Sequence, residues 1–236
     1  MRPKHFSIFL FLGLALLFQA CDPQIMDDRR ILVKGTILDT NNNPIQNIQV
    51  NCQTYGLVLG SAKSDANGKF EFTSLDTESY NGLNILVNMK EGVYYFDEPY
   101  NYQVPENPLY SAKQYYTNDT GRTAMVYDLG AIKLNDVAQL TVFFNNIPGD
   151  NNSVAYKFEY ESAFCKIDLD VPNSEDCAFE DYNYYQQIDI NTANFQTNIN
   201  SQLGTTVLFK YILNNEPEQT ISIPLNAIES TYVFEY

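Results

Sequence analysis

The chain has 236 residues, with 14 Lys and Arg against 29 Asp and Glu and a formal net charge of −15. A hydrophobic content of 44 % and an aromatic content of 14 % are globular rather than disordered composition. So acidic a chain repels phosphate backbones and sets nucleic acid aside as a partner, and with one histidine and no tryptophan it offers little for imidazole chemistry.

Residues 1–20 read as a secretory signal. Arg2 and Lys4 form a basic start, and Phe6 to Phe18 is apolar apart from Ser7 and Gly13. As a helix that run would span roughly 20 Å, too short for the ~30 Å bilayer core, so a cleaved signal is expected rather than a membrane span. His5 lies inside it, so the processed chain would have no histidine and no Ser-His, Cys-His or His-metal mechanism. Leu17-Phe18-Gln19-Ala20-Cys21 resembles the bacterial lipobox. That resemblance implies a lipid anchor, palmitate included, on Cys21 at the outer membrane. The competing reading is a soluble exported protein in which Cys21 is incidental. Residues 21–30 are polar and lack strand alternation, so a tether is expected there.

From Ile31 onward apolar residues alternate with period two, as half-buried strands do. Ile48, Val50 and Cys52 share one face, with Asn47, Gln49, Asn51 and Gln53 on the other; Phe70 and Phe72 alternate with Lys69 and Glu71; Leu83, Ile85, Val87 and Met89 share a face. Asp39 to Pro44, Asp65 to Gly68 and Asn81-Gly82 supply turn chemistry between these runs. No helical stripe of useful length appears, so the expected class is all-β, as two consecutive β-sandwiches.

The framework Val33 to Asp39, Pro44-Ile45, Ile48 to Val50 and Ser64 to Phe72 resembles the carboxypeptidase-regulatory-like family. The resemblance implies a transthyretin-like sandwich, and Asp128 to Leu134 resembles its closing strand, which bounds the first domain at 31–135. Gly35 would allow close packing, and Gly68 would supply a positive φ before the next strand. Residues 136–236 repeat the alternation at Leu140, Val142 and Phe144, at Val154, Tyr156, Phe158 and Tyr160, at Val207, Phe209, Tyr211 and Leu213, and at Tyr232, Phe234 and Tyr236. A second sandwich, Ig-like or similar, is expected there.

Four cysteines less an acylated Cys21 leave three. Cys52 lies on an apolar strand face and is expected as a buried free thiol; Cys165 and Cys177 bracket an acidic loop and are the plausible disulfide. Asp168, Asp170 and Asp176 in that loop are a candidate calcium set, weighed against a plain solvated loop. Tyr94, Tyr95, Tyr100, Tyr102, Tyr110, Tyr115 and Tyr116, interleaved with prolines, read as a long loop insertion. Its rings would cover their own core, meet a protein partner, or stack on a glycan. Carboxylate pairs can hydrolyse glycosides without histidine, but no Asp or Glu here stands in such a motif. A non-enzyme without cofactor is expected.

Modules similar to the first domain occur in Bacteroidota outer-membrane proteins. The resemblance therefore implies an accessory binding subunit of a TonB-dependent, SusC/SusD-type nutrient-uptake complex, anchored by lipid and facing the cell exterior. Its partners would be transporter proteins, with a glycan or peptide beside them. The alternatives are a stand-alone surface glycan-binding module and a structural or adhesion subunit.

Overall fold

A computed structural model describes residues 25–54, 56–77, 82–90, 105–119, 121–180 and 185–236. Among the described residues every regular element is a β-strand, and no helix is long and apolar enough to cross a membrane. The segment 1–20, expected as a signal, and Cys21 lie outside them.

The first seven strands are β1 (Ile25–Leu38), β2 (Gln49–Thr54), β3 (Leu57–Lys63), β4 (Lys69–Thr77), β5 (Leu83–Val87), β6 (Ala112–Thr117) and β7 (Val126–Lys133). One sheet runs β4-β1-β7, with β1 antiparallel to β4 and parallel to β7. Facing it, β3, β2, β5 and β6 lie side by side in a larger sheet. Period-two alternation sends Ile31, Val33 and Ile37 of β1, Val50 and Cys52 of β2, and Leu83, Ile85 and Val87 of β5 into one shared core. Two glycines make this packing fit. A Cβ on Gly35 would lie 2.8 Å from the Phe70 ring. Gly68 sits at φ +73°, and a Cβ there would lie 2.3 Å from the Ile37 carbonyl oxygen. The Asx-type turns form as their residues suggest. Asp39 Oδ1 accepts the Asn41 and Asn43 N–H groups at 2.8 and 2.7 Å, and Asp65 Oδ1 accepts those of Asn67 and Lys69 at 2.8 and 2.9 Å. The Asn43 side-chain amide, donating to Asp39, is the main reason that carboxyl sits below its ordinary pKa.

The remaining strands are β8 (Val137–Asn145), β9 (Val154–Asp168), β10 (Asp176–Glu180), β11 (Gln186–Ile188), β12 (Phe195–Gln202), β13 (Thr206–Leu213), β14 (Gln219–Pro224) and β15 (Glu229–Glu235). β15, β8 and β12 form one layer, with β15 parallel to β8; β14, β13 and β9, with β10 and β11, form the other. The core between them is aromatic. Phe144 stacks on Phe195 at 4.7 Å between ring centroids, Phe158 on Phe209 at 5.1 Å, and Phe209 meets Phe234 edge-on at 4.9 Å.

β9 ties the two halves together. Its first part pairs with β13 over residues 154–159, whereas Phe164 to Asp168 pair in parallel with Ala112 to Tyr116 of β6. Ile167 and Leu169 thus pack against the first core, and Phe164 joins Leu86, Met89 and Ala112 in a small cluster at the junction. A boundary at 135/136 is therefore crossed by a strand of the second half that completes a sheet of the first.

Two further expectations are corrected. β1 begins at Ile25, so residues 25–30 are strand and not tether: Ile25 and Met26 pair with Thr77 and Asp76. A register shift separates Met26 from Arg30 along this stretch. Tyr115 and Tyr116 belong to strand β6 rather than to a loop.

Candidate functional site

Of the three described tyrosines of the candidate contact surface, Tyr110 and Tyr115 do packing work. Tyr115 is 8 % exposed within the first core and Tyr110 packs against it, which removes Tyr115 as a ligand surface. Tyr116 is half-buried beside Asp168, and burial is the first cause of its raised phenol pKa. Tyr94, Tyr95, Tyr100 and Tyr102 lie outside the described residues.

Cys165 and Cys177 are joined by a disulfide across β9 and β10. The acidic loop between them is pinned onto β6. Lys113 Nζ meets Glu175 Oε1 at 2.5 Å, Thr117 Oγ1 donates to Asp170 Oδ2 at 2.7 Å, and the Leu169 N–H donates to the Tyr116 carbonyl at 2.8 Å. Asp168 and Asp176 accept backbone N–H groups of Asp170 and Ala178. Local bonding thus spends these carboxylates separately, and Asp168, Asp170 and Asp176 do not converge as calcium ligands. Among the described residues the sole group close enough to share an ion is Cys165, Glu175 and Cys177, whose two sulfurs are already bonded to each other. With a sequence separation of 12 between its cysteines, the bridge is worth about 3 kcal/mol on the loop-entropy account. Replacing both by serine is expected to lower urea-unfolding stability by about that amount. A loss below about 1 kcal/mol would mean that the β6 contacts alone hold the loop.

Cys52 is a buried free thiol. Burial is the main force pushing it up to about 12, so at mildly alkaline pH it stays protonated and unreactive. Iodoacetamide should label it only after denaturation; rapid labelling of the folded chain would contradict this.

Among the described residues the chemistry-bearing geometry gathers at the side of β7 away from β1. Asp76, at the end of β4, is fully buried between two arginines: Arg29 Nε lies 2.9 Å from Oδ2, and Arg122 Nη2 lies 2.9 Å from Oδ1. Arg122 also donates to the Asp119 carbonyl at 2.7 Å and to the Thr77 carbonyl, and Arg29 donates to the Ala124 carbonyl at 3.3 Å. This triad nails the segment before β7 to the start of β1. Outside it runs a groove of about 350 Å³. Val126, Tyr127, Asp128 and Leu129 of β7 line it, together with Thr117, Asp119, Leu169 and Asp170. Val126, in its lining, and Met125 before it in the chain are each 51 % exposed. Burial raises the Tyr127 phenol at the floor, more than Arg122 lowers it. The groove offers an apolar floor, carboxylates at the rim and the edge of a sheet. Its one clue in the sequence is the Met125-Val126 pair, apolar where an edge strand is usually charged. A shallower depression of about 490 Å³ lies over Lys34, Lys69, Glu71, Asp128 and Gly130, with charges of both signs.

No family model matches the chain, and no curated protein matches it either. Solved structures resemble it at low sequence identity. The Bacillus anthracis TIE protein aligns over 88 % of this chain and 34 % of its own, at 9 % identity and a TM-score of 0.29. A streptococcal ancillary pilin aligns over 89 % and 63 %, at 10 % identity and a TM-score of 0.27. The chain thus spans about a third of the first and under two thirds of the second. A putative cell adhesion protein from Bacteroides ovatus aligns over 92 % of both chains, at 11 % identity and a TM-score of 0.27.

Proposed function

We propose that this chain is a non-catalytic subunit of the bacterial cell surface, a structural or adhesion component that works through its sheet edges. The observation that carries the reading is the edge of β7, without a second partner strand among the described residues, beside its groove on a body made continuous by β9 and stapled by Cys165–Cys177. The buried charges support it: Asp76, Lys113 and Arg122 are each committed to an ion pair, which is structural use of charge rather than an activated acid or base. The lipobox-like run ending at Cys21 is the proposed anchor, at the outer membrane and facing outward.

The accessory role in TonB-dependent, SusC/SusD-type uptake is a second reading, favoured by the framework around Gly35 and Gly68. Isolation of the full chain from native membranes in mild detergent, with protease shaving of whole cells, separates the two. The adhesion reading expects a chain that is shaved from intact cells and co-isolates with surface structural proteins. Stoichiometric recovery of a transporter would replace it with the accessory role, and binding of the isolated chain on a glycan array would replace both.

A further inference from the structure

We propose that the β7 groove binds an extended segment of another protein, added as a strand to β7 and alternating apolar with basic residues. The inference rests on the binding role proposed above and names the partner chemistry of that same site.

The first observation is the ladder. Among the described residues β7 has one partner, β1, so its other side is an edge. The Leu32 N–H donates to the Met125 carbonyl at 2.9 Å, and Leu32 and Lys34 stand opposite Val126 and Asp128. In a parallel ladder that register turns the N–H and C=O of Val126 and Asp128 away from β1, free to pair with a new strand. Such edges are normally blunted by Lys, Pro, a bulge or a cover. β14 ends in Pro224, and β4 alternates Lys69 and Glu71 along its exposed side. β7 has its register shift only further on, opposite Lys34 and Thr36, and Met125 and Val126 stand exposed ahead of it.

The second observation is the chemistry of the walls. An added strand turns alternate side chains toward Tyr127, Leu129 and Leu169, an apolar floor, and this is where its apolar residues go. On that same side Asp119 and Asp170 stand at the rim beside Leu169, and its other side chains pass Asp128 on the outer face. Asp128 is paired with Lys34, and Arg122 shares Asp76 with Arg29, so among the described residues the carboxylates of the lining without an ion pair are Asp119 and Asp170, and they give the groove its negative side. A second copy of this chain, at −15 overall, is repelled from such a site. A basic segment is drawn to it.

The test is calorimetric titration of the full chain with a short synthetic peptide alternating valine and lysine, beside one alternating valine and glutamate. The lysine peptide is expected to bind saturably, more weakly as salt rises, and to slow amide exchange at Val126 to Leu129. Val126→Pro removes an N–H that β1 does not use and should weaken binding roughly tenfold or more, with little change in melting temperature. Asp119→Asn with Asp170→Asn should weaken it comparably and flatten the salt dependence. Equal binding of the glutamate peptide, no saturation up to about 1 mM, or full affinity in both variants overturns the proposal. If native membranes yield a surface partner that Val126→Pro still captures, the surface role stands and this groove is not its site. If the lysine peptide binds as expected while native isolation yields only a transporter, the site stands and the adhesion role fails.

Discussion

Phe209→Ala is expected to destabilise the protein by about 3–5 kcal/mol, the range for deleting a fully buried aromatic ring. Phe209 is 0 % exposed on β13 and stands at the centre of the second core. Its ring lies 4.9 Å from Phe234, 5.1 Å from Phe158, 5.4 Å from Tyr211 and 5.8 Å from Phe144. These partners come from β15, β9, β13 itself and β8, so both layers border the cavity left behind. Each is held by its own ladder and cannot collapse inward without breaking strand pairs, which places the loss at the costly end. Urea unfolding followed by near-ultraviolet circular dichroism measures it. Val233→Ala, at a position 51 % exposed on β15, is the control and should change stability by less than about 0.5 kcal/mol. A loss under about 1 kcal/mol for Phe209→Ala would mean that this core is not packed as described.

Asp76→Ala is the second large expected effect, also about 3–5 kcal/mol, because it strands a buried cation. The Arg122 side chain is 4 % exposed and faces Asp76, whose own side chain is 1 % exposed. Removing the carboxylate leaves that guanidinium without its counter-charge and takes the acceptor from the Thr77 N–H, which bonds Asp76 Oδ1 at 2.8 Å. Arg29→Ala should cost less, since that side chain is 20 % exposed and water replaces part of what is lost. Replacing Asp76 and Arg122 together by leucine and methionine should recover much of the loss, because a buried pair is stabilising mainly relative to half of itself. A double-mutant cycle by urea unfolding reads the coupling. If Asp76→Ala and the double variant unfold alike, the pair is not coupled. The same variants bear on the groove, since Arg122 and Arg29 hold the chain between Asp119 and Ala124 that leads into β7.

The Asx turns, the glycine positions and most strands could be read from residue order, because each depends on contacts within a few residues. Asp39 reaches Asn41 and Asn43, and Asp65 reaches Asn67 and Lys69, whatever the remote chain does. Alternation at Val154, Tyr156, Phe158 and Tyr160 likewise names a strand with one buried face. Where β9 changes company the alternation gives way to four consecutive buried residues, Ser162 to Cys165, but nothing in that run names β6 as the new partner. Tyr115 and Tyr116 show the same limit: adjacent tyrosines of identical composition point to opposite sides of β6, and the ladder decides which one meets the core.

Residue order by itself determined an all-β chain with sandwich cores, because side-chain period and turn chemistry are local properties that survive any arrangement of the strands. Tertiary structure alone decided the early start of β1, the parallel docking of β9 on β6, and the burial of Asp76 between Arg29 and Arg122. Asp76 and Arg122 are 46 positions apart in the chain, and no local pattern marks either as buried. The groove beside β7 arises the same way. Its lining comes from β6, from β7 and the run into it, and from the loop after β9, and an edge exists only once every other strand has found its partner.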